Sequence, residues 1–361
     1  MGTASDTKYQ SLRESITNAI QAGEYCAGQR LPGERELASR FGVSYMTARR
    51  AVSDLVEAEL LERRPGSGIY LRSRSAERLS ATTINLIATP AEGSISKAFL
   101  RFGVQQAELR GWNSRITRMH NGYERPTVRA ILEGDPALLL LDTMREWTLL
   151  NDTLRAAEGR VVLVANQLAD QGVPSVVGDD RVGIRLACEM LVKAGHRNIA
   201  MVSTNPAHPV THIQVETWRS SLAALGGDAA ESAFIYADWE DFGDRIAPSY
   251  EAVRQALMSP DRKFTALICL QDEIALGALA ACRECGCPVP DGMSLICCGD
   301  STLMEYASPP VTVIDVDLEG HVKAAFELVE AALAGALTPE KRLRLITPRV
   351  VERKSVSTPS R

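Results

Sequence analysis

The sequence predicts an α/β protein of 361 residues with a small N-terminal module and a large C-terminal body. Residues 1–72 hold three helical patterns and then a short hairpin with a glycine-rich tip. From residue 84 onward, near-continuous apolar runs alternate with amphipathic helices, which is typical of parallel sheets covered on both faces. The stretch 73–83 (SRSAERLSATT) is polar and aperiodic, so we expect a linker between two domains, 1–72 and 84–361.

Apolar spacing and capping residues predict the helices of the N-terminal module. Apolar residues recur at helical spacing over 12–20, and this first helix ends near Gly23. A second helix covers 34–40, and the glycine at position 42 makes a tight turn after it. Ser44 is a natural N-cap for a third helix that reaches about residue 58.

The third helix carries polar and basic side chains in its first turns, the part that a recognition helix presents to the major groove. These residues are Tyr45, Met46, Thr47, Arg49 and Arg50. Two strands follow at 60–64 and 69–71, and the tip between them is Pro65, Gly66, Ser67 and Gly68. This hairpin has the form of a wing.

These segments together resemble the winged helix-turn-helix of the GntR family, without a gap over about residues 8–72. The matching stretches are 31–38, 41–44, 47–49, 60–64 and 66–68. The resemblance implies that Arg35 and Arg49 contact phosphates or bases and that Thr47 contacts the DNA backbone near the groove. It also implies that the tip enters the minor groove, and Arg50 and Arg64 are expected to add phosphate contacts.

Two positions depart from the family pattern. Gly33 stands where the family usually has Ser, which removes a helix N-cap. Tyr45 stands where it usually has Arg, so we expect the DNA sequence that is read to differ from the one common in the family. A winged helix used only for protein contacts is the alternative, and it leaves the arginine spacing and the glycine tip without a purpose.

The sequence of the C-terminal body predicts alternating strands and helices. Apolar strand-like runs cover 84–88, 137–141, 161–165, 199–202, 264–270 and 294–298, and helical patterns cover 99–110, 180–194, 218–225, 250–258 and 274–285. A body of about 280 residues is too long for one comfortable doubly wound sheet, so we expect two similar lobes. Ligands of such folds bind at the carboxyl ends of the strands, here in the cleft between the lobes.

Four segments of the body, in order, resemble the ligand domain of the LacI/GalR repressors, itself similar to periplasmic sugar-binding proteins. They are 173–183, 194–200, 271–279 and 309–313. A GntR-type winged helix joined to this type of domain is the arrangement of arabinose-utilisation repressors, which the chain resembles overall. The resemblance therefore implies a periplasmic-binding-protein-like effector domain of two doubly wound lobes.

The resemblance implies an effector site made by Ile95, Ser96, Gln214, Trp239, Gln271, Asp272 and Asp300. The indole of Trp239 would stack on an apolar sugar face, although core packing is an equally good interpretation of a single Trp. Gln271 and Asp272 match a pair that hydrogen-bonds ligand hydroxyls, and Asp300 lies in an altered form of a family turn.

Three of these positions differ from the family. Gln214 falls where an effector-binding Arg usually stands, and Ile95 and Ser96 replace aromatic residues that close the mouth of the pocket. Without the Arg, we expect a neutral sugar or polyol rather than an anion, because a neutral ligand needs paired donors and acceptors.

A cysteine cluster supports a second interpretation, a redox- or metal-responsive regulator. The cluster is Cys282, Cys285, Cys287, Cys297 and Cys298. No histidine is close in sequence, and an unoxidised cysteine also packs well as a small apolar residue.

Composition and missing motifs exclude several classes of protein. The chain has 45% apolar and 24% charged residues, a net charge of −5, and no apolar run long enough for a membrane span or a signal core. Eight unevenly spaced cysteines favour a reducing cytoplasm. No phosphate loop, nucleophile elbow or metalloprotease motif is present, so we expect neither an enzyme nor a cofactor.

Charge is distributed unevenly along the chain: residues 1–75 carry 11 Lys and Arg against 9 Asp and Glu, whereas the remainder is acidic. This asymmetry is modest and counts only beside the sequence patterns. The two resemblances together imply a cytoplasmic homodimer whose winged helices read the two halves of a pseudo-palindromic duplex. A small-molecule effector, expected to be a sugar, would change the affinity for DNA, and the sequence does not fix the direction of that change.

Overall fold

The computed structural model describes residues 4–21, 25, 29–58, 60–64, 67–71, 82–88, 94–118, 135–140, 153–155, 157, 159–203, 209–228, 234–238, 244–299 and 301–359. The chain divides into two compact units. The first is Met1–Ile84 with Ala107–Arg115, and the second is Asn85–Gln106 with Ile116–Arg361.

The N-terminal part of the first unit combines helices with a three-stranded sheet. Its described elements are α1 (Ala4–Gln21), β1 (Arg30–Leu31), α2 (Glu34–Phe41), α3 (Tyr45–Glu57), β2 (Leu61–Arg64) and β3 (Gly68–Leu71). The sheet order is β1-β3-β2 with antiparallel pairs, so β2 and β3 form the predicted hairpin. The ends of the predicted helices agree with the structure to within two residues, whereas α1 begins at Ala4, eight residues before the apolar pattern over 12–20.

Helical periodicity explains how this small core closes. Leu12, Ile16 and Ile20, spaced four apart on α1, are all buried, because that spacing places them on one face. They pack with apolar residues of α2, α3 and the sheet in one cluster. Gly42 ends α2 in the left-handed conformation with φ of +60°, which turns the chain toward α3.

Two six-stranded sheets follow, and most of their strands belong to the second unit. Elements that follow in the chain are β4 (Thr83–Ala88), α4 (Ser94–Leu109), β5 (Asn113–Arg118), β6 (Ala137–Leu140), β7 (Val161–Val164), β8 (Ser175–Gly178), α5 (Asp180–Lys193), β9 (Ile199–Ser203), α6 (Pro209–Ala224), β10 (Phe234–Tyr236), α7 (Ile246–Met258), β11 (Ala266–Cys269), α8 (Asp272–Glu284), β12 (Ser294–Cys298), α9 (Thr302–Glu305), β13 (Thr312–Asp315), α10 (Leu318–Leu333), β14 (Leu343–Ile346) and β15 (Arg349–Val351).

Each sheet defines a lobe. The first lobe has the strand order β14-β8-β7-β6-β4-β5, and the second has β10-β9-β11-β12-β13-β15. In the first lobe, the neighbouring strands from β14 across the sheet to β4 are parallel. In the second lobe, the neighbouring strands from β10 across to β13 are parallel, whereas β15 is antiparallel to β13. The predicted two-lobed α/β fold with parallel sheets is confirmed.

Burial on both faces explains why the strands read as continuous apolar runs. The β11 strand is buried throughout; its Leu267 and Cys269 belong to one core cluster, and its Ala266 and Ile268 to another. These two clusters are the layers on opposite faces of the sheet, since successive side chains of a strand point to opposite faces.

The chain crosses between the lobes at three places within the described residues: after β8, after β13 and after β14. The Asp179 amide, at the first crossing, donates to the Ile346 carbonyl, at the third, at 2.9 Å. The segments that connect the lobes after β8 and after β14 therefore lie side by side, which is a geometry that permits a hinge.

Buried His196 fastens the C-terminal tail to the second lobe. Its Nδ1 lies 2.7 Å from Thr265 Oγ1, and its Nε2 lies 2.9 Å from both Ser294 Oγ and the Ser357 carbonyl. Burial lowers the pKa of His196, so the neutral ring is favoured. These contacts give His196 a structural role.

No helix among the described residues combines the length and the apolar character needed to cross a bilayer.

Candidate functional sites

Ser44 fixes the start of α3. Its Oγ accepts a hydrogen bond from the Thr47 amide at 3.0 Å and lies 2.8 Å from Thr47 Oγ1, as expected of an N-cap. The first two residues of the helix, Tyr45 and Met46, are 42% and 66% exposed. Both side chains are therefore accessible at the surface of the module, at the start of α3.

Two of the predicted DNA-contacting arginines point into solvent. Arg35 on α2 and Arg49 on α3 are exposed, and neither makes an ion pair or hydrogen bond within the described part of the chain. Arg50 instead lies over the Tyr9 ring, with its guanidinium carbon 4.8 Å from the ring centroid. Arg50 thus connects α3 to α1 as well as facing outward.

The wing arginines have different partners. Arg63 donates to Glu34 at 2.6 Å and to Ser53 at 3.0 Å, which ties β2 to α2 and α3. Arg64, the predicted phosphate contact, pairs with Glu62 at 2.6 Å and stacks over the Tyr70 ring at 4.3 Å. Exposed ion pairs are weak, so the pairing of Arg64 leaves a phosphate contact open to it.

The wing tip requires glycine at position 68. Gly68 has φ of +126°, and a Cβ there would lie 2.8 Å from Arg30 Nε. Ser67 Oγ lies 2.6 Å from the Tyr70 hydroxyl, and Gly66 is outside the described residues. Arg30 is a cation at the wing that sequence reasoning missed, because its two-residue strand carries no periodic signal.

The predicted effector residues of the second lobe follow the carboxyl ends of its strands. Gln214 Nε2, on α6, donates to Asp180 Oδ1, at the start of α5, at 2.8 Å. Burial is the main cause of the raised pKa of Asp180, and the hydrogen bond from Gln214 acts the other way, lowering that pKa. Since the amide nitrogen of Gln214 faces Asp180, its carbonyl oxygen remains as an acceptor.

The side-chain amide of Gln271 is oriented the opposite way from that of Gln214. Its Oε1 accepts from Arg245 at 3.1 Å, which leaves the amide nitrogen as the donor that can face a ligand. Arg245, with 14% of its side chain exposed, also lies 3.9 Å from Glu273. Sequence reasoning missed Arg245, because it is a single cation in a polar stretch with no pattern around it.

The first turn of α4 faces the second lobe. Ser94 Oγ donates to Asp272 Oδ2 across the two lobes, and Asp272 Oδ1 accepts from the Glu273 amide at 2.9 Å. Of the predicted pair on α4, Ile95 is exposed and Ser96 is buried. Ser94 is a residue that the sequence reasoning did not single out.

Two predicted effector residues, Trp239 and Asp300, lie outside the described residues. Asp238, next to Trp239, is exposed and accepts a hydrogen bond from the Tyr236 hydroxyl at 2.9 Å. Trp239 therefore follows the carboxyl end of β10, and its stacking role stays a prediction.

Two thiols of the cysteine cluster, Cys282 and Cys297, are buried in the second lobe, and Cys285, Cys287 and Cys298 are half-buried. Burial raises the pKa of Cys282 to about 12 and the pKa of Cys298 further, so the thiolate that binds metals and attacks disulfides is disfavoured. Half-buried Cys287 accepts from Arg262 at 3.1 Å. The described residues include no group of three or more His, Cys, Asp or Glu side chains placed to hold a metal.

Both parts of the chain match known protein families. Residues 8–71 match the bacterial regulatory proteins of the gntR family, and residues 188–356 match the periplasmic binding protein-like domain. The resemblance identified from the sequence is thus confirmed for both parts.

Curated relatives span nearly the whole chain. The arabinose metabolism transcriptional repressor of Geobacillus stearothermophilus is 24% identical over 340 residues, covering 90% of each chain. The HTH-type transcriptional regulator GalR of Salmonella typhimurium is 25% identical over 344 residues, covering 90% of this chain and 96% of the relative.

Solved structures share the fold of the larger part. A LacI-family regulatory protein from Chloroflexus aggregans superimposes with a TM-score of 0.66 at 20% identity, over 76% of this chain and 98% of that one. The transcription regulator CcpA of Lactococcus lactis gives a TM-score of 0.65 at 18% identity, over 77% of this chain and all of that one.

Proposed function

We propose that this chain, which joins a GntR-family DNA-binding domain to a periplasmic binding protein-like domain, is a repressor of a carbohydrate-utilisation operon whose affinity for DNA is changed by a sugar bound between the lobes. One observation carries the proposal. The same chain contains a helix, α3, whose first turns face solvent, and a domain whose strand ends present hydrogen-bonding side chains. Relatives named for arabinose metabolism and as GalR support it.

The DNA interface consists of the first turns of α3 with the wing. Arg35 and Arg49 are exposed cations suited to phosphate or base edges, and Arg50 and Arg64 add positive charge beside them. Tyr45, which stands where the family usually has Arg, offers a hydroxyl contact, and Met46 beside it offers an apolar one. Two copies of the module, related by the symmetry of a homodimer, read an inverted repeat.

Selection from a random duplex library tests the DNA function. The wild-type chain enriches an inverted repeat, and Arg49→Ala lowers the affinity for it about tenfold and reduces the salt slope by about 1. Arg185→Ala, which removes an exposed arginine from α5 in the other unit, is the matched control and leaves both unchanged. Enrichment of no sequence by the wild type contradicts the proposal.

The effector site combines a stacking ring with hydrogen-bonding groups of both polarities. Gln271 offers donors and Gln214 an acceptor, and each is held in that orientation by a charged neighbour. A sugar hydroxyl can donate and accept, so a neutral polyol matches both glutamines. Asp272, Trp239, Asp300, Ile95 and Ser96 complete the proposed site.

A thermal-shift screen against neutral monosaccharides, disaccharides, sugar phosphates and zinc tests the effector. A sugar at 100 times its dissociation constant stabilises the fold by about 2.7 kcal/mol. Trp239→Ala abolishes that shift and leaves DNA binding intact. A response only to zinc, or a DNA affinity that depends on thiol reduction, would instead favour the regulator based on Cys287 and its neighbours.

A further inference from the structure

The hydrogen bond between Ser94 and Asp272 joins the two lobes of the second unit. Ser94 is the first residue of α4, beside the first-lobe sheet, and Asp272 is the first residue of α8, in the second lobe. They are 178 positions apart in sequence, so only the folded arrangement of the two lobes brings them together.

The Asp272 carboxylate already has a donor on each oxygen. Oδ2 accepts from the Ser94 hydroxyl, and Oδ1 accepts from the Glu273 amide. The side chain is mostly buried, with the residue 7% exposed, so few directions of approach remain for a further donor. Any ligand group that hydrogen-bonds Asp272 through Oδ2 competes with Ser94.

The two donors of Asp272 differ in how readily they can be replaced. The Glu273 amide belongs to the next residue of the chain and cannot move away without disturbing α8. The Ser94 hydroxyl belongs to the other lobe and leaves when the lobes separate. It is also the same chemical group that a sugar presents.

We propose that Ser94 is a residue of the effector site whose hydroxyl holds, on Asp272, the position that an effector hydroxyl takes. This proposal rests on the proposed effector site. It adds that the Ser94 hydroxyl competes with the effector for Asp272. The contact stabilises an effector-free state in which the lobes are joined at α4 and α8. The effector exchanges one hydroxyl for another on Asp272, so its affinity comes chiefly from its other contacts, and hydroxyl-bearing ligands are the class that can make this exchange.

Hydrogen exchange without DNA or sugar tests the contact directly. Asp272→Ala speeds amide exchange in the first turn of α4 about tenfold, although the change is in the other lobe. Ser94→Ala has the same effect, and the double variant exchanges no faster than either single one. Ser94→Thr, which keeps a hydroxyl, and Lys97→Ala, on the exposed side of the same helix, retain the wild-type rate.

The response of α4 to Asp272→Ala separates this role from a local one. If Ser94 only stabilised the end of its own helix, Ser94→Ala would speed exchange and Asp272→Ala would not. Wild-type exchange at α4 in a folded Asp272→Ala protein therefore overturns the proposal. The result is independent of the proposed function, whose failure would appear as the absence of a selected duplex or of a sugar response.

A sugar that stabilises the wild type in the thermal-shift screen gives the second measurement. Ser94→Ala binds that sugar several-fold more tightly than the wild type, because the competitor is gone, and Ser94→Thr does not. Weaker binding by Ser94→Ala would mean that Ser94 contacts the sugar rather than competing with it, and would overturn the assignment.

Discussion

Gln214 and Asp180 form a hydrogen bond of 2.8 Å that joins α6 to the first turn of α5. The family whose pattern this lobe resembles usually has an arginine at position 214, which would neutralise a buried carboxylate. Here a neutral amide faces Asp180, so this contact does not neutralise the negative charge of the carboxylate. The consequence is a carboxyl group whose pKa is raised by burial.

Asp180→Asn should therefore stabilise the protein more at pH 7.5 than at pH 4, which is near the ordinary pKa of 3.8. The folded-state pKa of Asp180 is raised, so the wild type loses stability as the pH rises through that pKa, whereas Asn has no charge to bury. Urea unfolding at the two pH values measures the difference. Asp261→Asn, the same change at an exposed position, is the control. A stability difference that does not vary with pH would contradict the prediction.

Protonation of His196 should contribute to acid destabilisation. Burial lowers its folded-state pKa below the usual value of 6.5, so the stability it provides is present above that pH and is lost as the pH falls. The loss is at most about 1.4 kcal/mol per pH unit for one proton. His196→Gln should flatten the fall in unfolding free energy between pH 7.5 and 5.5, and His212→Gln, at an exposed site on α6, should not. Equal slopes for wild type and His196→Gln would refute this role.

Gly68→Ala should destabilise the wing. The positive φ disfavours any residue with a Cβ, and the added atom would meet Arg30. We expect a cost of about 1–3 kcal/mol and weaker DNA binding, measured by thermal unfolding and by titration with the selected duplex. Gly33→Ala is the matched control, because a Cβ there meets nothing within 4 Å and φ is −67°. The prediction fails if both variants behave alike.

Arg63→Ala and Arg64→Ala should separate stability from DNA binding. Arg63 bonds Glu34 and Ser53 on two helices, so its removal should lower the unfolding temperature of the first unit. Among the described residues, Arg64 pairs only with its neighbours on the hairpin, so Arg64→Ala should change stability by less than about 1 kcal/mol and lower the salt slope of DNA binding instead. The reverse assignment of effects would show that Arg63 is the phosphate contact.

Local patterns determined the N-terminal module almost completely. Helical spacing over 12–20, the cap at Ser44 and the glycine tip are all short-range signals, and each corresponds to a described element. The long apolar strands of the body were also predicted, because burial on both faces leaves no alternation to misread.

Other elements were not predicted because their signals are weak in sequence. The β10 strand has three residues and is therefore a short signal, and β14 is half exposed at the edge of its sheet, where Arg344 interrupts its apolar residues. The α10 helix was not predicted, although its buried residues Val322, Phe326 and Val329 recur at helical spacing.

The sequence by itself determined the two domain types, the parallel α/β body and the residue types at the strand ends. Only the tertiary structure decided their partners: Arg245 on Gln271, Asp180 on Gln214 and Ser94 on Asp272. The physical reason is distance along the chain. Capping and periodicity act between residues a few positions apart, whereas these pairs form between separate elements, whose packing brings the two side chains within hydrogen-bonding range.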